Sequence, residues 1–257
     1  MRVYLHTMQI PWLAPEDPLP AAAAAWGAQD PIPGLLAAGG ELSVGRLLQA
    51  YGGGVFPWFS DGQPILWWSP DPRMVLEVDR FRLHRSLRKT VDRFRRTPGC
   101  AIRIDHDFEA VIRACAAAPR AGQSGTWIVP EMVEAYRALY AAGHAHSVET
   151  WVDGELVGGL YCVAIGRAVF GESMFARRPD ASKLALSALV GFCRHHGMHM
   201  IDCQQNTAHL ASLGAREMPR DEFIGHIARS RHLPAPEWDF TPVYFEELLS
   251  ARPLKTP

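Results

Sequence analysis

Residues 144–216 carry the pattern that most restricts the fold, because three predicted strands, one helix and a fourth strand follow one another there. The elements are predicted at 146–151, 156–165, 168–175, 181–196 (the helix) and 198–203. Asp153-Gly154 and Gly166-Arg167 supply the turns between the first three strands, and Asp180 is the predicted N-cap of the helix. Because the helix must carry the chain back to a parallel partner, this order predicts a mixed sheet with the helix packed on it.

Two carboxylates lie on these predicted strands, where a charged side chain is unfavourable unless it is paired or functional. Glu172 lies among apolar residues of the third strand, and Asp202 follows Ile201 at the end of the fourth. Carboxylates beside apolar side chains have altered proton affinity or tight hydrogen bonds, which suits acid–base work or the binding of an ammonium group. Alternatively, each caps a backbone N–H or pairs with an arginine. The strand pattern alone does not decide between the two interpretations.

Composition sets the broad class of the chain. Its 257 residues allow one large domain or two modest ones, and 48% hydrophobic with 21% charged residues is ordinary for a globular protein. Five cysteines without a C-x-x-C pair predict thiols in a reducing cytoplasm, with Cys115, Cys162 and Cys193 in the core. No leader pattern and no apolar run of ~18 residues is present, so a cytoplasmic protein without membrane contact is expected.

No metal or nucleotide-cofactor motif stands out in the sequence. The histidine groups at 144–146 and 195–199 lack a third ligand at metal spacing, so no metal site is predicted. Neither a phosphate-binding Walker loop nor a dinucleotide G-x-G-x-x-G occurs.

Residues 80–96 form a basic segment in a chain whose formal net charge is only −1. Leu83, Leu87, Val91 and Phe94 recur at helical spacing and predict a buried face. The basic residues predicted on the opposite face are Arg85, Arg88, Lys89, Arg93 and Arg96. Solvated faces usually carry both signs of charge, whereas Asp92 is the one acid here. The segment therefore favours binding of nucleic-acid phosphate over a plain solvated face.

The N-terminal part of the chain is rich in proline, alanine and glycine. We predict irregular or extended structure over 1–34, a turn region over 34–40, and a helix over 44–51 with Ser43 as its N-cap. Residues 55–73 combine three tryptophans with four prolines. Trp67 and Trp68 are expected in a small aromatic core between domains, and Trp58 is the better candidate for stacking on a nucleobase.

Nine ordered segments closely resemble the leucyl/phenylalanyl-tRNA–protein transferase family. They are GLLAAGGEL (34–42), VFPWFSDGQPILWWSPDPR (55–73), GTWI (125–128), GHAHSVE (143–149), LVGGL (156–160), GESMF (171–175), DASK (180–183), IDCQ (201–204) and HLASLGA (209–215). The resemblance implies an α+β fold, with a small N-terminal α/β domain over 1–71. The larger domain over 72–257 would be a mixed-sheet domain related to the Gcn5-type N-acetyltransferases. Cys162 departs from the family pattern, which commonly has glycine there, and is expected to tighten the pocket.

The resemblance also implies a reaction and its partners. Leu or Phe, and less readily Met, would pass from aminoacyl-tRNA to the N-terminal α-amine of a protein that begins with Arg or Lys, which creates an N-degron for protein degradation. Such an aminolysis needs a neutral amine, a positioned carbonyl and a path for the proton. No cofactor is implied, and a monomer is expected.

The same resemblance assigns roles to individual residues. Asp202 and Gln204 would form a relay that orients the attacking amine and helps to deprotonate it, and Glu172 would hold an α-amino group or shape the pocket. Trp58 and Trp127 are candidates for contacts with the terminal adenosine, and the basic helix for the tRNA body. The expected aminoacyl pocket consists of Leu160, Phe170, Ser173, Met174, Phe175 and Ile201.

Two other functions compete with this interpretation. An acyl-CoA N-acyltransferase would need a pyrophosphate loop before the helix at 181, where Arg177-Arg178-Pro179-Asp180 stands instead. A non-enzymatic tRNA-binding module would explain the basic helix but leave the polar residues on the strands without a role.

Overall fold

The computed structural model describes residues 10–118 and 128–250. The strands in this part of the chain are β1 (Trp12–Leu13), β2 (Leu35–Gly39), β3 (Phe56–Pro57), β4 (Leu66–Trp68), β5 (Arg73–Glu77), β6 (Cys100–Ile104), β7 (Ala145–Val152), β8 (Glu155–Ile165), β9 (Ala168–Ala176), β10 (Met200–Gln204) and β11 (Arg216–Met218). The α-helices are α1 (Val44–Gly52), α2 (Arg85–Phe94), α3 (Phe108–Ala117), α4 (Pro130–Ala141), α5 (Ala181–His195), α6 (Ala208–Ser212), α7 (Arg220–Ser230) and α8 (Val243–Ser250). Short 3-10 turns occur at Ala22–Ala24 and Val78–Arg80.

The larger sheet has seven strands in the order β11-β5-β10-β9-β8-β7-β6. Strand β10 pairs in parallel with β9 and antiparallel with β5, so the sheet is mixed, as predicted. Helix α5 is the crossover between β9 and β10. It lies directly on β8, because a Cβ at Gly158 would come within 2.5 Å of the Ala181 side chain. The α+β class and the strand-helix-strand order are therefore confirmed.

Strand β5 was not predicted. It places residues 73–77, directly after the proline-rich segment, between β10 and β11 in the large sheet. Its first four residues are all buried, so the apolar–polar alternation that marks a half-exposed strand is missing. The consequence for function is that Arg73, the first residue of β5, is buried and contacts Asp202 of β10.

The N-terminal segment forms a second sheet with the strand order β1-β2-β4-β3. The predicted turn region at 34–40 was wrong, because Leu35–Gly39 is a fully buried strand. An alanine- and glycine-rich strand that is buried throughout carries neither alternation nor β-branched residues, so it resembles a loop in sequence. Helix α1 and its cap were predicted correctly, since the Ser43 side chain accepts a hydrogen bond from the Arg46 N–H.

Side chains pack on both faces of the large sheet. Helices α3 and α4, together with α1 and the N-terminal sheet, bury one face, which we call the α4 face. Helices α2, α5 and α8 bury the other, the α5 face. Trp67 and Trp68 are buried, as predicted, but they lie in the large α4-face core rather than in a small aromatic core. Cys115, Cys162 and Cys193 are buried, also as predicted.

One predicted helix cap differs in the structure. Asp180 precedes α5 in a left-handed conformation with φ of 62°, and its side chain caps no backbone N–H. The Asp180 carboxylate instead pairs with Lys183 Nζ at 2.9 Å. Its short side chain tolerates a left-handed backbone, and this explains how a good capping residue ends up in a tight turn.

Within residues 10–118 and 128–250, no helix is both long and apolar enough to cross a bilayer.

Candidate active site

A cavity opens where β9 and β10 separate. The two strands pair through Val169–Ile201 and Phe170–Asp202, and their ladder ends after these pairs. The cavity has a volume of about 260 Å³. Its lining comes from β8, β9, β10, α5 and the segment around α6: Leu160, Tyr161, Gly171, Glu172, Ser173, Met174, Leu186, Leu189, Ile201, Asp202, Cys203, Gln204, Thr207, His209 and Leu210. One side of the cavity is therefore apolar, and its β9–β10 edge is polar.

Four of the six expected pocket residues line this cavity. Leu160, Ser173, Met174 and Ile201 do so, whereas Phe170 and Phe175 lie in the α4-face core. The apolar wall is completed by Leu186 and Leu189 of α5, which were not among the expected pocket residues. Cys162 is buried on the α5 face and is not among the lining residues, so it does not tighten the pocket by direct contact.

A β-bulge at Glu172 accounts for the positions of the two phenylalanines. Tyr161 pairs with Ser173 and Cys162 pairs with Gly171, so β9 contains one residue more than β8 at this point. Successive side chains of a regular strand alternate between faces, and one extra residue shifts that alternation. Phe170 and Phe175, five positions apart, thereby share one face, and Glu172 is directed to the gap between β9 and β10.

Glu172 is the centre of a hydrogen-bond network at the polar edge. Its Oε2 accepts a hydrogen bond from the Tyr136 hydroxyl at 2.9 Å, and its Oε1 accepts one from Gln204 Nε2 at 3.3 Å. The Tyr136 hydroxyl also shares a short hydrogen bond with the Tyr51 hydroxyl. Tyr51 and Tyr136 come from α1 and α4 and are fully buried, so the network ties the N-terminal segment to the edge of the cavity.

Burial dominates the protonation of Glu172. Loss of solvent raises the pKa of its carboxyl from 4.5 to about 7, although the tyrosine hydrogen bonds oppose the rise. The negative charge of Asp202 raises this pKa further and the positive charge of Arg73 lowers it. Glu172 therefore exchanges a proton near neutral pH, which ordinary surface carboxylates do not.

Asp202 lines the cavity, and its carboxylate is paired with an arginine. Its Oδ1 and Oδ2 accept hydrogen bonds from Arg73 Nε at 2.8 Å and Nη2 at 2.7 Å. Oδ1 also accepts the backbone N–H of Gln204 at 2.9 Å. Asp202 is 1% exposed and Arg73 is 0% exposed. The pairing of this aspartate with an arginine was one of the two alternatives that the sequence left open.

Gln204 is the residue that joins the two carboxylates. It lies at a register shift between β10 and β5, with φ of 56°, a conformation that few non-glycine residues adopt. Its backbone contacts Asp202 and its side-chain amide contacts Glu172. The structure thus brings together Glu172, Asp202 and Gln204, which the sequence had singled out separately.

The residues that sequence reasoning missed are Arg73, Tyr51 and Tyr136. Each lies on an element remote in sequence from the carboxylate that it contacts, and Arg73 is 129 positions from Asp202. A buried tyrosine on a helix is ordinarily a core residue, and no local pattern in the chain distinguishes these two. The strand that carries Arg73 was itself not predicted.

The two tryptophans predicted to contact adenosine have different outcomes. Trp58 is half-buried, packs edge-on against Trp68 with ring centroids 5.5 Å apart, and is not among the residues that line the cavity. Trp127 lies outside the described residues.

The basic helix α2 buries Leu87, Val91 and Phe94, as predicted. Arg85, Lys89, Arg93 and Arg96 are exposed. Arg88 differs, because it is half-buried and donates a hydrogen bond to the Leu249 carbonyl of α8. Arg96 shares the Asp92 carboxylate with Arg95. The solvent-facing charge of this helix is therefore smaller than the sequence suggested.

Arg93 also borders a second cavity, of about 280 Å³, beside the first residues of α5. That cavity contains Arg178 and several threonines but no carboxylate or imidazole among its lining residues. It offers positive charge and no acid–base group, so we place the candidate active site in the cavity at Glu172.

Comparison with protein families places the chain without ambiguity. A model of the leucyl/phenylalanyl-tRNA protein transferase family matches residues 75–228, and a model of the N-terminal domain of that family matches residues 40–71. The first match covers more than half of the chain.

Curated relatives agree over nearly the whole length. A leucyl/phenylalanyl-tRNA–protein transferase of a Polaromonas strain is 62% identical over 242 residues, 94% of this chain and 95% of its own. The protein with this name from Albidiferax ferrireducens is 58% identical over 247 residues, 96% and 97% of the two chains. A third, from Leptothrix cholodnii, is 60% identical over 238 residues, 91% and 93% of the two chains.

One solved structure shows a weaker similarity to this chain. L-PGS from Bacillus licheniformis has a TM-score of 0.38 and 15% identity, with 71% of this chain and 66% of that chain covered. At that level of similarity the neighbour carries no argument about this fold. The family models and the full-length relatives lead to one conclusion: this chain is a member of the leucyl/phenylalanyl-tRNA–protein transferase family of aminoacyltransferases.

Proposed function

We propose that this protein transfers Leu or Phe, and less readily Met, from aminoacyl-tRNA to proteins that begin with Arg or Lys. The product carries a new N-terminal residue that marks it for degradation as an N-degron. Family membership supports the reaction, and one structural observation supports its location: an apolar cavity ends at Glu172, a half-buried residue whose carboxyl has a pKa raised to about 7.

The apolar wall of the cavity is the proposed aminoacyl pocket. Leu160, Met174, Leu186, Leu189 and Ile201 surround a volume suited to a Leu or Phe side chain, with Ser173 at its border. A β-branched side chain such as Ile or Val carries its bulk next to the backbone. We expect it to be rejected sterically where β9 and β10 begin to separate.

Glu172 is the proposed acceptor of the amine proton. The attacking α-amine has a pKa of about 7.7–8.0 in water, and a base with a pKa of about 7 is well matched to it. The amine nitrogen forms a bond to the ester carbonyl carbon, and the bond from that carbon to the tRNA 3′ oxygen breaks. The proton passes from the nitrogen to Glu172 and then to the leaving oxygen, so no other reactant is needed.

Asp202 and Gln204 are proposed to orient the reactants. Both oxygens of Asp202 are occupied by Arg73, which favours an orienting role over abstraction of the amine proton. The Gln204 amide reaches Glu172 at the edge of the cavity and supplies hydrogen-bonding groups beside the amine and the carbonyl.

Contacts with the tRNA are proposed at two places. The exposed cations of α2 (Arg85, Lys89 and Arg93), together with Arg96 just after it, would hold backbone phosphates without reading sequence. Arg88 contributes less directly, because it contacts α8. Trp58 and Trp127 remain the proposed partners of the terminal adenosine.

Three further proposals concern the domain arrangement, the domain boundary, and the location and assembly of the protein. We infer a Gcn5-type N-acetyltransferase-like arrangement for residues 72–257, supported by the parallel β9–α5–β10 unit whose strands separate at the cavity. The boundary at residue 71 is supported by the change from the small sheet to the large one between β4 and β5. A cytoplasmic monomer that requires no cofactor remains our proposal.

The test is transfer of labelled amino acids from charged tRNA to peptides that differ only in their first residue. Leu and Phe should appear on peptides that begin with Arg or Lys and not on one that begins with Ala, and Ile and Val should not be transferred. Failure to transfer any amino acid, by protein that is folded and binds tRNA, would leave only the binding-module interpretation.

A further inference from the structure

Arg73 is buried at the junction of the two sheets, where an uncompensated positive charge would be costly. Its guanidinium makes the bidentate pair with Asp202, and its third nitrogen, Nη1, donates to the Gly54 carbonyl at 3.3 Å. Hydrogen bonds on two sides fix a planar guanidinium in one orientation. The ammonium group of a lysine would not be fixed in this way.

Two aromatic rings fix the plane of this guanidinium. Its central carbon lies 4.7 Å from the centroid of the Phe56 ring and 4.6 Å from that of Phe223. Phe56 belongs to the N-terminal sheet and Phe223 to α7. Arg73 is therefore held by elements before and after the cavity strands, and cation–π contact adds to its fixation.

Hydrogen bonds connect Arg73 to the reactive edge through two residues. Asp202 accepts the Gln204 N–H, and this contact supports the left-handed backbone of Gln204. The Gln204 amide then donates to Glu172. Asp202, Gln204 and Glu172 all line the cavity, whereas Arg73 does not.

A buried ion pair is weak evidence for a role in stability, because apolar residues of similar volume often stabilise as well or better. We propose that Arg73 is a positioning residue for the transfer reaction, which it serves by holding Asp202 so that Gln204 keeps its amide on Glu172. This inference rests on the proposed function. Arg73 is not among the residues that line the cavity.

The test compares Arg73→Lys with a matched control, Arg220→Lys. Arg220 is also a buried arginine, and its guanidinium donates to the Ser69 carbonyl, away from the cavity. Lysine keeps the charge of Arg73 and loses the fork. We expect Arg73→Lys to lower kcat about ten- to a hundredfold, because displacing a positioned group by about 1 Å costs that much. KM for charged tRNA should stay within about twofold, and Arg220→Lys should behave as wild type.

A second measurement separates positioning from general loosening of the core. In a Gln204→Ala background, Arg73→Lys should reduce kcat by less than about twofold, because the residue through which Arg73 acts is already gone. The inference would be overturned if Arg73→Lys reduced kcat by the same factor in the Gln204→Ala background as in the wild type. It would also be overturned if Arg220→Lys reduced kcat as much as Arg73→Lys does.

Folding of each variant is checked by its circular dichroism melting curve. If Arg73→Lys does not fold, Arg73→Gln combined with Asp202→Asn removes both buried charges, and the same loss of kcat and the same dependence on Gln204 are expected. Wild-type activity of Arg73→Lys, or of the double variant, would contradict this inference and leave the proposed function intact. Absence of transfer by the wild-type protein in the same assay contradicts the proposed function instead.

Discussion

Substitution of Tyr136 by phenylalanine should change the pH at which the enzyme works. The Tyr136 hydroxyl donates to Glu172 Oε2 at 2.9 Å, and this hydrogen bond stabilises the carboxylate and lowers the pKa of Glu172. Removing the hydroxyl therefore raises that pKa. A smaller fraction of Glu172 is then ionised at pH 7, and transfer falls.

The size of the effect follows from the strength of the bond. A hydrogen bond to a charged group contributes about 1.5–3 kcal/mol. Since 1.36 kcal/mol corresponds to one pH unit, the acid limb of the rate profile should move up by about one to two units. Starting from a wild-type pKa of about 7, transfer at pH 7 should fall roughly five- to fiftyfold and recover near pH 9.

The assay is single-turnover transfer of labelled Leu from charged tRNA to a peptide that begins with Arg, from pH 6 to pH 9, with spontaneous ester hydrolysis subtracted. Each variant rate is divided by the wild-type rate at the same pH, because titration of the peptide amine is then cancelled. Tyr140→Phe is the matched control, since Tyr140 also lies on α4 and donates to the Asp105 carbonyl. A Tyr136→Phe ratio that does not vary with pH would refute the assignment of Glu172 as the proton acceptor.

Three further predictions concern stability, specificity and tRNA binding. Burial raises the pKa of Glu172 from 4.5 to about 7, so the protonated form stabilises the fold fully below pH 4.5, and this stabilisation is lost as the pH rises through 7. Glu172→Gln should therefore raise the unfolding free energy by up to about 3 kcal/mol at pH 8 and by little at pH 4.5, as measured by denaturant titration at both pH values. Leu189→Phe adds bulk to the cavity wall and should reduce transfer of Phe about tenfold more than transfer of Leu; an unchanged ratio of the two kcat/KM values would remove Leu189 from the pocket. Lys89→Ala with Arg93→Ala should weaken tRNA binding and lower the slope of log K against log salt by about 2 in filter binding, whereas Arg113→Ala, on α3, should leave the slope unchanged.

The large sheet could be predicted because its later strands carry strong local signals. Asp153-Gly154 and Gly166-Arg167 mark turns between apolar runs, and the length of the 181–196 segment identifies a helix. These signals extend over a few residues and need no knowledge of distant partners. The crossover and the parallel β9–β10 pair then follow from the rules of chain connection.

The N-terminal sheet could not be predicted for a physical reason. Leu35–Gly39 is buried on both faces, so its pattern contains neither alternation nor exposed polar residues. Strand β5 has the same difficulty, with four consecutive buried residues. In such strands the surroundings determine the structure, and local propensity contributes little.

The sequence identified the two carboxylates of the candidate site but not the residues that contact them. Glu172 and Asp202 were identifiable because an acid on an apolar strand is costly unless it is paired or functional. Arg73 and Tyr136, the partners, become neighbours only when β5 and α4 pack. The bulge at Glu172 has no sequence signature here, and it is the reason that Phe170 and Phe175 lie outside the pocket.

The most direct measurement of the central claim is single-turnover Leu transfer by Glu172→Gln with charged tRNA bound beforehand. The account predicts a Kd for charged tRNA within about twofold of wild type and a transfer rate lower by about a hundredfold or more, because the proton acceptor is removed while the basic helix is untouched. Transfer at the wild-type rate by this folded variant would contradict the account and move the chemistry away from Glu172.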